Sequence, residues 1–302
     1  MTKHILLPAG LALALVLGLS SGAEAAGEVK AVASFSILAN MVKQVGGDRV
    51  DVITLVGPDG DAHVYEPTPA DAKNLAAANI LFTNGLGFEG WMDRLEKSSG
   101  FKGKVVVAST GVKPRTIVEK EGGKKETITD PHAWQSLANG KLYVANIRDG
   151  LIAVDPDGKA TYEANANTYL DAITKEETAV KAALAALPKE RRKIITSHDA
   201  FGYFGAAYGL EVIAPEGVST ESEASAQDVA KIIRQIKAEK IPAVFMENIT
   251  DHRLLDRIAS ETNAKIGGTL YTDALSPPDG PAGTYLDMFR NNIETLTAAL
   301  AA

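Results

Sequence analysis

Three histidines and one aspartate stand at the points of this chain best suited to chemistry: His63, His132, His198 and Asp273. The histidines sit where strands end or loops leave the sheet, and Asp273 takes the equivalent place after a late strand; in open α/β sheets that edge is where ligands bind. Three neutral imidazoles and one carboxylate make a four-coordinate nitrogen and oxygen donor set, which suits Zn2+ with bonds of about 2.0–2.2 Å. Imidazole is a borderline donor that favours zinc over harder cations, and a single carboxylate offsets part of the double charge. Taken singly, a strand-end histidine is more often a hydrogen-bonded surface or core residue. His252, expected in the first turn of a helix beside Arg253, reads as merely solvated.

The elements that must bring the four together are readable. The stretch 155–187 reads as one uninterrupted helix, with Asp155 as its N-cap and Pro156 at the first helical position. Its body is rich in Ala, Lys, Glu and Leu, and Tyr162, Tyr169, Ile173, Val180, Leu184 and Leu187 recur at three- and four-residue steps as a stripe that wants covering. Before it, strands are expected at 29–34, 50–56, 80–83 and 104–108, and helices at 37–45, 69–78, 89–97 and 139–154, with Thr68 capping the second. After it, strands are expected at 193–196, 211–214, 243–246 and 265–270, with helices through 208 and at 226–238, 252–262 and 285–300.

Strand–helix alternation of this kind is the signature of a mainly parallel sheet flanked by helices. The expected fold is therefore α/β, with two lobes, each built on such a sheet, joined by one long rigid linking helix. The lobes take residues 26–154 and 189–302, and the link takes 155–188. Two of the four candidate residues fall in each lobe, so they meet only across the cleft between them. The halves share a layout without a visible sequence repeat. Residues 113–129, densely charged around Gly122-Gly123, are expected to form a mobile surface loop.

Residues 1–25 stand apart. Lys3 and His4 precede an apolar run, and Ala23-Glu24-Ala25 supplies a small-residue cleavage site, so the segment reads as a secretory signal removed on export. The 302-residue chain contains no cysteine, which excludes disulfides, thiolate metal sites, a cysteine nucleophile and a lipidated cysteine at the signal junction. A net charge of −7 argues against nucleic acid, which needs a basic face, and is compatible with a cation.

Several motifs are decoys. Gly85-x-Gly87-x-x-Gly90 fits the dinucleotide fingerprint as a string, but the next strand ends Ala108-Ser109-Thr110 without the required acid, so a tight turn is expected. Asp59 and Asp61 lack the terminal glutamate of a calcium loop and read as turn residues. Ser197-His198-Asp199 are sequence neighbours and cannot chain as a catalytic triad; Asp199 reads as a helix cap. Around the site, Trp134, Tyr65 and Phe201 are candidates to exclude water, and Asp130, Glu66, Glu247 and Asp199 to orient imidazoles.

Together these residues resemble a known family, the cluster A-I (cluster 9) solute-binding proteins, which are the periplasmic zinc- or manganese-binding components of bacterial ABC transporters. The resemblance runs over essentially the whole mature chain. It rests on Ser34-Phe35 and Ile37-Leu38, Gly46-Gly47, the run from Gly60 to Pro69 through Asp61, His63 and Tyr65, and Asn84-Gly85-Leu86-Gly87 with Glu89 and Trp91. Asp130-Pro131-His132-Ala133-Trp134, Ser197-His198-Asp199-Ala200-Phe201 and Tyr271-Thr272-Asp273-Ala274-Leu275 complete it.

The resemblance implies His63, His132, His198 and Asp273 as ligands of one metal ion held between the lobes, with no catalytic residues. It implies a periplasmic protein that delivers its ion to an ABC permease at the inner membrane. A monomer is expected, and a periplasmic zinc metallochaperone is a conceivable second partner. Histidine at position 198, where manganese binders tend to carry glutamate, points to Zn2+ as cargo and Mn2+ as the alternative. The charged segment 113–129 lacks the histidines that many zinc-binding members carry there, so a strong second zinc site is not expected. Two other readings remain: a manganese or iron receptor or adhesin on the same fold, and a secreted zinc hydrolase, which would lack any H-E-x-x-H pair.

Overall fold

The structure, a computed structural model, describes residues 28–121, 124–221 and 224–301. The expected signal segment, 1–25, lies outside the described residues. The chain opens with β1 (Val29–Phe35), α1 (Ser36–Gly46), β2 (Val50–Val56), α2 (Pro69–Ala76), β3 (Ile80–Thr83), α3 (Met92–Ser99) and β4 (Lys104–Val107). These four strands form one parallel sheet in the order β2-β1-β3-β4. β1 is buried at every position but the exposed Lys30, as a central parallel strand covered on both faces must be nearly throughout. Thr68 caps α2 in a full capping box with Asp71, and Pro69 occupies the first helical position.

A hairpin of β5 (Arg115–Glu121) and β6 (Lys124–Asp130) follows, then α4 (Leu137–Val154) and the long α5 (Lys159–Ala185). The second half contains β7 (Lys193–Ile195), α6 (Gly202–Tyr208), β8 (Glu211–Ile213), α7 (Ala226–Glu239), β9 (Ala243–Glu247), α8 (Arg253–Ser260), β10 (Lys265–Leu270) and α9 (Tyr285–Ala301). Its strands are again all parallel, in the order β10-β9-β7-β8. Read from the other edge this is the order of the first sheet. In both halves the chain steps to one side of the first strand and then crosses to the other. Such a reversal opens a crevice at the carboxyl ends of the strands.

α5 spans 27 residues, about 40 Å at 1.5 Å per residue, and packs against α1 and α4 from the first half and α9 from the second. The expected stripe is its buried face: Tyr162, Tyr169, Ile173, Val180 and Leu184, with Leu187 just beyond the helix end, are all inside. The helix is not uninterrupted from residue 155. Residues Pro156–Gly158 form a 3-10 turn, because the Asp155 side chain accepts the Gly158 N–H and is also gripped by Arg49 and the Tyr162 hydroxyl. One continuous apolar core runs from β1 and α1 through α4 and α5 to Phe204, Phe245, Tyr285 and Phe289, so the two lobes share buried surface as well as a linking helix.

The expected loop at 113–129 is instead the β5–β6 hairpin. Thr116 faces Thr129, Ile117 faces Ile128 and Val118 faces Thr127, and such β-branched cross-strand pairs stabilise a ladder despite the charges around them. Helix α3 starts at Met92 rather than at 89, because the Glu89 carboxylate folds back to accept the N–H groups of Asn84 and Gly85 and the Ser34 hydroxyl. Gly85 and Gly87 have φ of 79° and 85°, the tight turn expected of the glycine string. His252 is exposed at the start of α8, as expected.

Candidate metal centre

His63 sits on the loop that leaves β2, where Asp59 adopts a left-handed φ of 53° to turn the chain toward the second half. Its backbone N–H donates to the Asp61 carboxylate at 2.9 Å, and its ring meets Phe88 edge-on at 4.8 Å. His132 follows the end of β6. The Asp130 carboxylate accepts the His132 backbone N–H at 3.0 Å and lies 2.9 Å from ring Nδ1. A carboxylate can only accept, so Nδ1 carries a hydrogen and Nε2 is the atom turned inward. Arg115 at the base of the hairpin holds the other Asp130 oxygen at 3.2 Å.

His198 follows β7, at the crevice of the second sheet. Glu247, at the end of β9, accepts the backbone N–H groups of Ser197 and His198 at 2.7 and 3.0 Å. Its second oxygen lies 2.6 Å from His198 Nδ1, a close contact of opposite charges off the line of a straight hydrogen bond. Asp273 follows β10. The preceding carbonyl, Thr272 O, accepts from Trp134 Nε1 and Gln135 Nε2 at 2.9 and 2.7 Å, which ties the Asp273 turn to the first half.

The structure brings all four expected residues together. Their donor atoms lie within 4.8 Å of one another, the one such cluster among the described residues. Asp273 Oδ2 is 3.1 Å from His63 Nε2, 3.2 Å from His198 Nε2 and 3.6 Å from His132 Nε2, and the Nε2 atoms of His63 and His132 are 3.3 Å apart. Donors about 2.0–2.1 Å from a tetrahedral ion lie about 3.3–3.4 Å apart, so these spacings match a single four-coordinate cation. Asp273 Oδ1 is buried without a hydrogen-bond partner among the described residues, an acceptor for which a cation is the natural complement.

The electrostatics point the same way. Burial alone would lower His132, but the Asp273 and Asp130 carboxylates outweigh it and push the imidazole up to about 9. Burial opposes protonation of His198 too, and Glu247 and Asp273 overcome it, raising that ring well above its ordinary value. Burial would raise Asp273, yet His132 and His198 hold it well below the usual carboxylate range. His63 differs: burial dominates and lowers it. The pocket thus attracts positive charge, and protons and a metal ion compete for the same nitrogen atoms.

Of the surrounding candidates, Asp130 and Glu247 orient imidazoles as expected, and Trp134 packs on the His132 ring at 5.3 Å. Glu66 is exposed instead. Asp199 does not cap α6, whose N-cap is Phe201 without a side-chain bond. Tyr65 donates its hydroxyl to Asp71 and packs on Trp91, and Phe201 packs on Phe204, with no ring contact from either to an imidazole among the described residues. Phe88, which covers both His63 and His132, escaped the sequence reading because nothing in its spacing separates it from an ordinary core phenylalanine.

Comparison with known proteins decides the class. The family model described as "ZnuA: Zinc-uptake complex component A periplasmic" matches residues 31–299. The chain belongs to this family. The manganese-binding lipoprotein MntA of Halalkalibacterium halodurans is 32% identical over 273 residues, covering 90% of this chain and 89% of MntA. The iron-binding protein YfeA of Yersinia pestis is 30% identical over 273 residues, covering 90% of this chain and 86% of YfeA. The solved structure of the periplasmic zinc-binding protein TroA from Treponema pallidum superposes with a TM-score of 0.85 at 31% identity, over 91% of this chain and all of TroA. This ZnuA-family chain is therefore a metal-binding receptor of the ABC-transporter type, working outside the cytoplasm with a membrane permease as partner, and is not an enzyme.

Proposed function

We propose that this protein is a zinc receptor, and that His63, His132, His198 and Asp273 are the four ligands of one Zn2+ ion captured between the lobes. The observation that carries the reading is the convergence of three imidazole nitrogens and a carboxylate oxygen within 4.8 Å. A nitrogen-rich donor set holds Zn2+ more tightly than Mn2+ or Fe2+ in the general order of divalent affinities. Four protein donors also close the coordination sphere of zinc, which suits capture rather than hydrolysis, where an open position is needed.

On this reading residues 1–25 form the leader removed on export. The lobes are 26–154 and 189–302, linked by 155–188, and the mature chain is a soluble periplasmic monomer that passes its ion to a permease in the inner membrane. The absence of cysteine from the sequence supports a soluble form over a lipid-anchored one.

A second reading has its own support. The unpartnered Asp273 Oδ1 is available to ligate alongside Oδ2, which would give five donors and a harder site suited to Mn2+ or Fe2+, the ions named for MntA and YfeA. Competition titration of the metal-free protein with Zn2+ and Mn2+ separates the two. One Zn2+ per chain, bound at least about a hundredfold more tightly than Mn2+, supports the zinc reading; a reversed preference replaces it with the second.

A further inference from the structure

The three histidines are not held alike. His132 and His198 are each braced by a buried carboxylate behind Nδ1, whereas no carboxylate stands behind His63 Nδ1 among the described residues. His63 is set instead by its main chain, through the N–H that donates to Asp61 Oδ1. The other Asp61 oxygen, Oδ2, accepts the Thr220 hydroxyl at 2.6 Å, and Thr220 belongs to the second half, beyond β8.

Two neighbouring bonds run the same way. Asp59 N–H donates to Leu275 O at 2.9 Å, and Asn248 Nδ2 donates to Asp59 Oδ1 at 2.9 Å. On the first-half side, Trp91 Nε1 holds Ala62 O at 2.8 Å. The loop carrying His63 is thus slung between the halves, with both aspartates fastened to the far one.

We propose that Asp61 is a positioning residue that ties His63 to the opposite lobe through Thr220, so that the loop forms a latch on the metal site. The proposal rests on the reading of His63 as a ligand. Separation of the lobes strains the Asp61–Thr220 bond and draws on the His63 main chain, while His132 and His198 stay fixed on their carboxylates. His63 is then the first ligand to leave, and the latch governs how fast the ion departs more than how much is bound.

The test is the zinc dissociation rate, measured by mixing zinc-loaded full-length protein with a chromogenic chelator in stopped flow. Thr220→Val and Thr220→Ala delete the hydroxyl in two sterically different ways, and Thr220→Ser keeps it. Both deletions should still fold cooperatively when metal-free, bind one Zn2+, and release zinc about tenfold faster, the factor that one hydrogen bond to a carboxylate commands. Thr220→Ser should release it at the wild-type rate. Wild-type zinc binding with release from both deletion variants within about twofold of wild type would overturn the latch alone. An accelerated Thr220→Ser would do the same, by tracing the effect to shape. A wild-type protein that binds no zinc would overturn the ligand reading and the latch with it.

Discussion

His198 and His63 present the same atom to the same point, but they reach it by different means. His198 sits at a sheet crevice with both backbone and ring fastened to one buried glutamate, and its proton affinity is raised. His63 rides a loop, with no carboxylate behind its Nδ1 among the described residues and its proton affinity lowered by burial. The difference teaches that a capture site divides its labour. On the proposed reading, the side braced by carboxylates holds its imidazoles in place, and the loop-borne imidazole is the one that closes over the cation.

Deleting the two imidazoles should break the comparison most visibly. His198→Ala should abolish measurable zinc binding in competition titration, because it removes a donor and leaves the Glu247 carboxylate buried without its cationic partner. His63→Ala should weaken binding but leave one ion per chain on the three remaining donors. Equal losses in the two variants would show that the bracing makes no difference.

The next effect is on pH. The neighbouring carboxylates raise the proton affinity of His132 and His198, so a bound ion should displace protons from these rings and affinity should fall about tenfold to a hundredfold for each unit of acidification. Titrations in buffers of different ionisation enthalpy count the released protons, and flat affinity from pH 8 to 6 would contradict the two raised imidazoles. Glu247→Gln and Asp130→Asn keep size while removing the bracing charge, and each should weaken zinc binding about tenfold to a hundredfold.

The smallest expected effect is on the metal-free protein. His132, raised from 6.5 to about 9 by folding, adds stability that is complete below 6.5 and is lost as pH rises through about 9. Asp273, held well below 3.8, adds stability above that value that is lost only as pH falls through its depressed one. The metal-free melting temperature should therefore decline by several degrees from pH 7 to 10, while zinc affinity rises over the same range. Parallel trends would mean that the imidazoles are not protonated in the folded site.

Much of this was legible before the structure. β2 and β10 begin and end where apolar runs meet turn residues, the stripe of α5 is its buried face, and the ladder of strands and helices is the two-sheet α/β fold of the family. The expected donor residues cluster because each stands at a strand end or on a loop leaving one, where the topology sends it to the same side. What stayed hidden depends on side chains meeting across distance. Asp130 lies two residues from His132 and could be guessed, but the partners of Asp61 and Asp59, Thr220 and Asn248, lie 159 and 189 positions away, and no local pattern marks them. The β5–β6 hairpin was concealed for another reason: its charges outweigh a short run of β-branched residues whose significance lies in their partners across the ladder.

The central claim is tested most directly by crystals of the zinc-loaded protein measured on both sides of the zinc absorption edge. A single anomalous peak should lie between the lobes, bonded at about 2.0–2.2 Å to the Nε2 atoms of His63, His132 and His198 and to an Asp273 oxygen. A peak elsewhere, or one that two or more of these residues do not touch, would contradict the account.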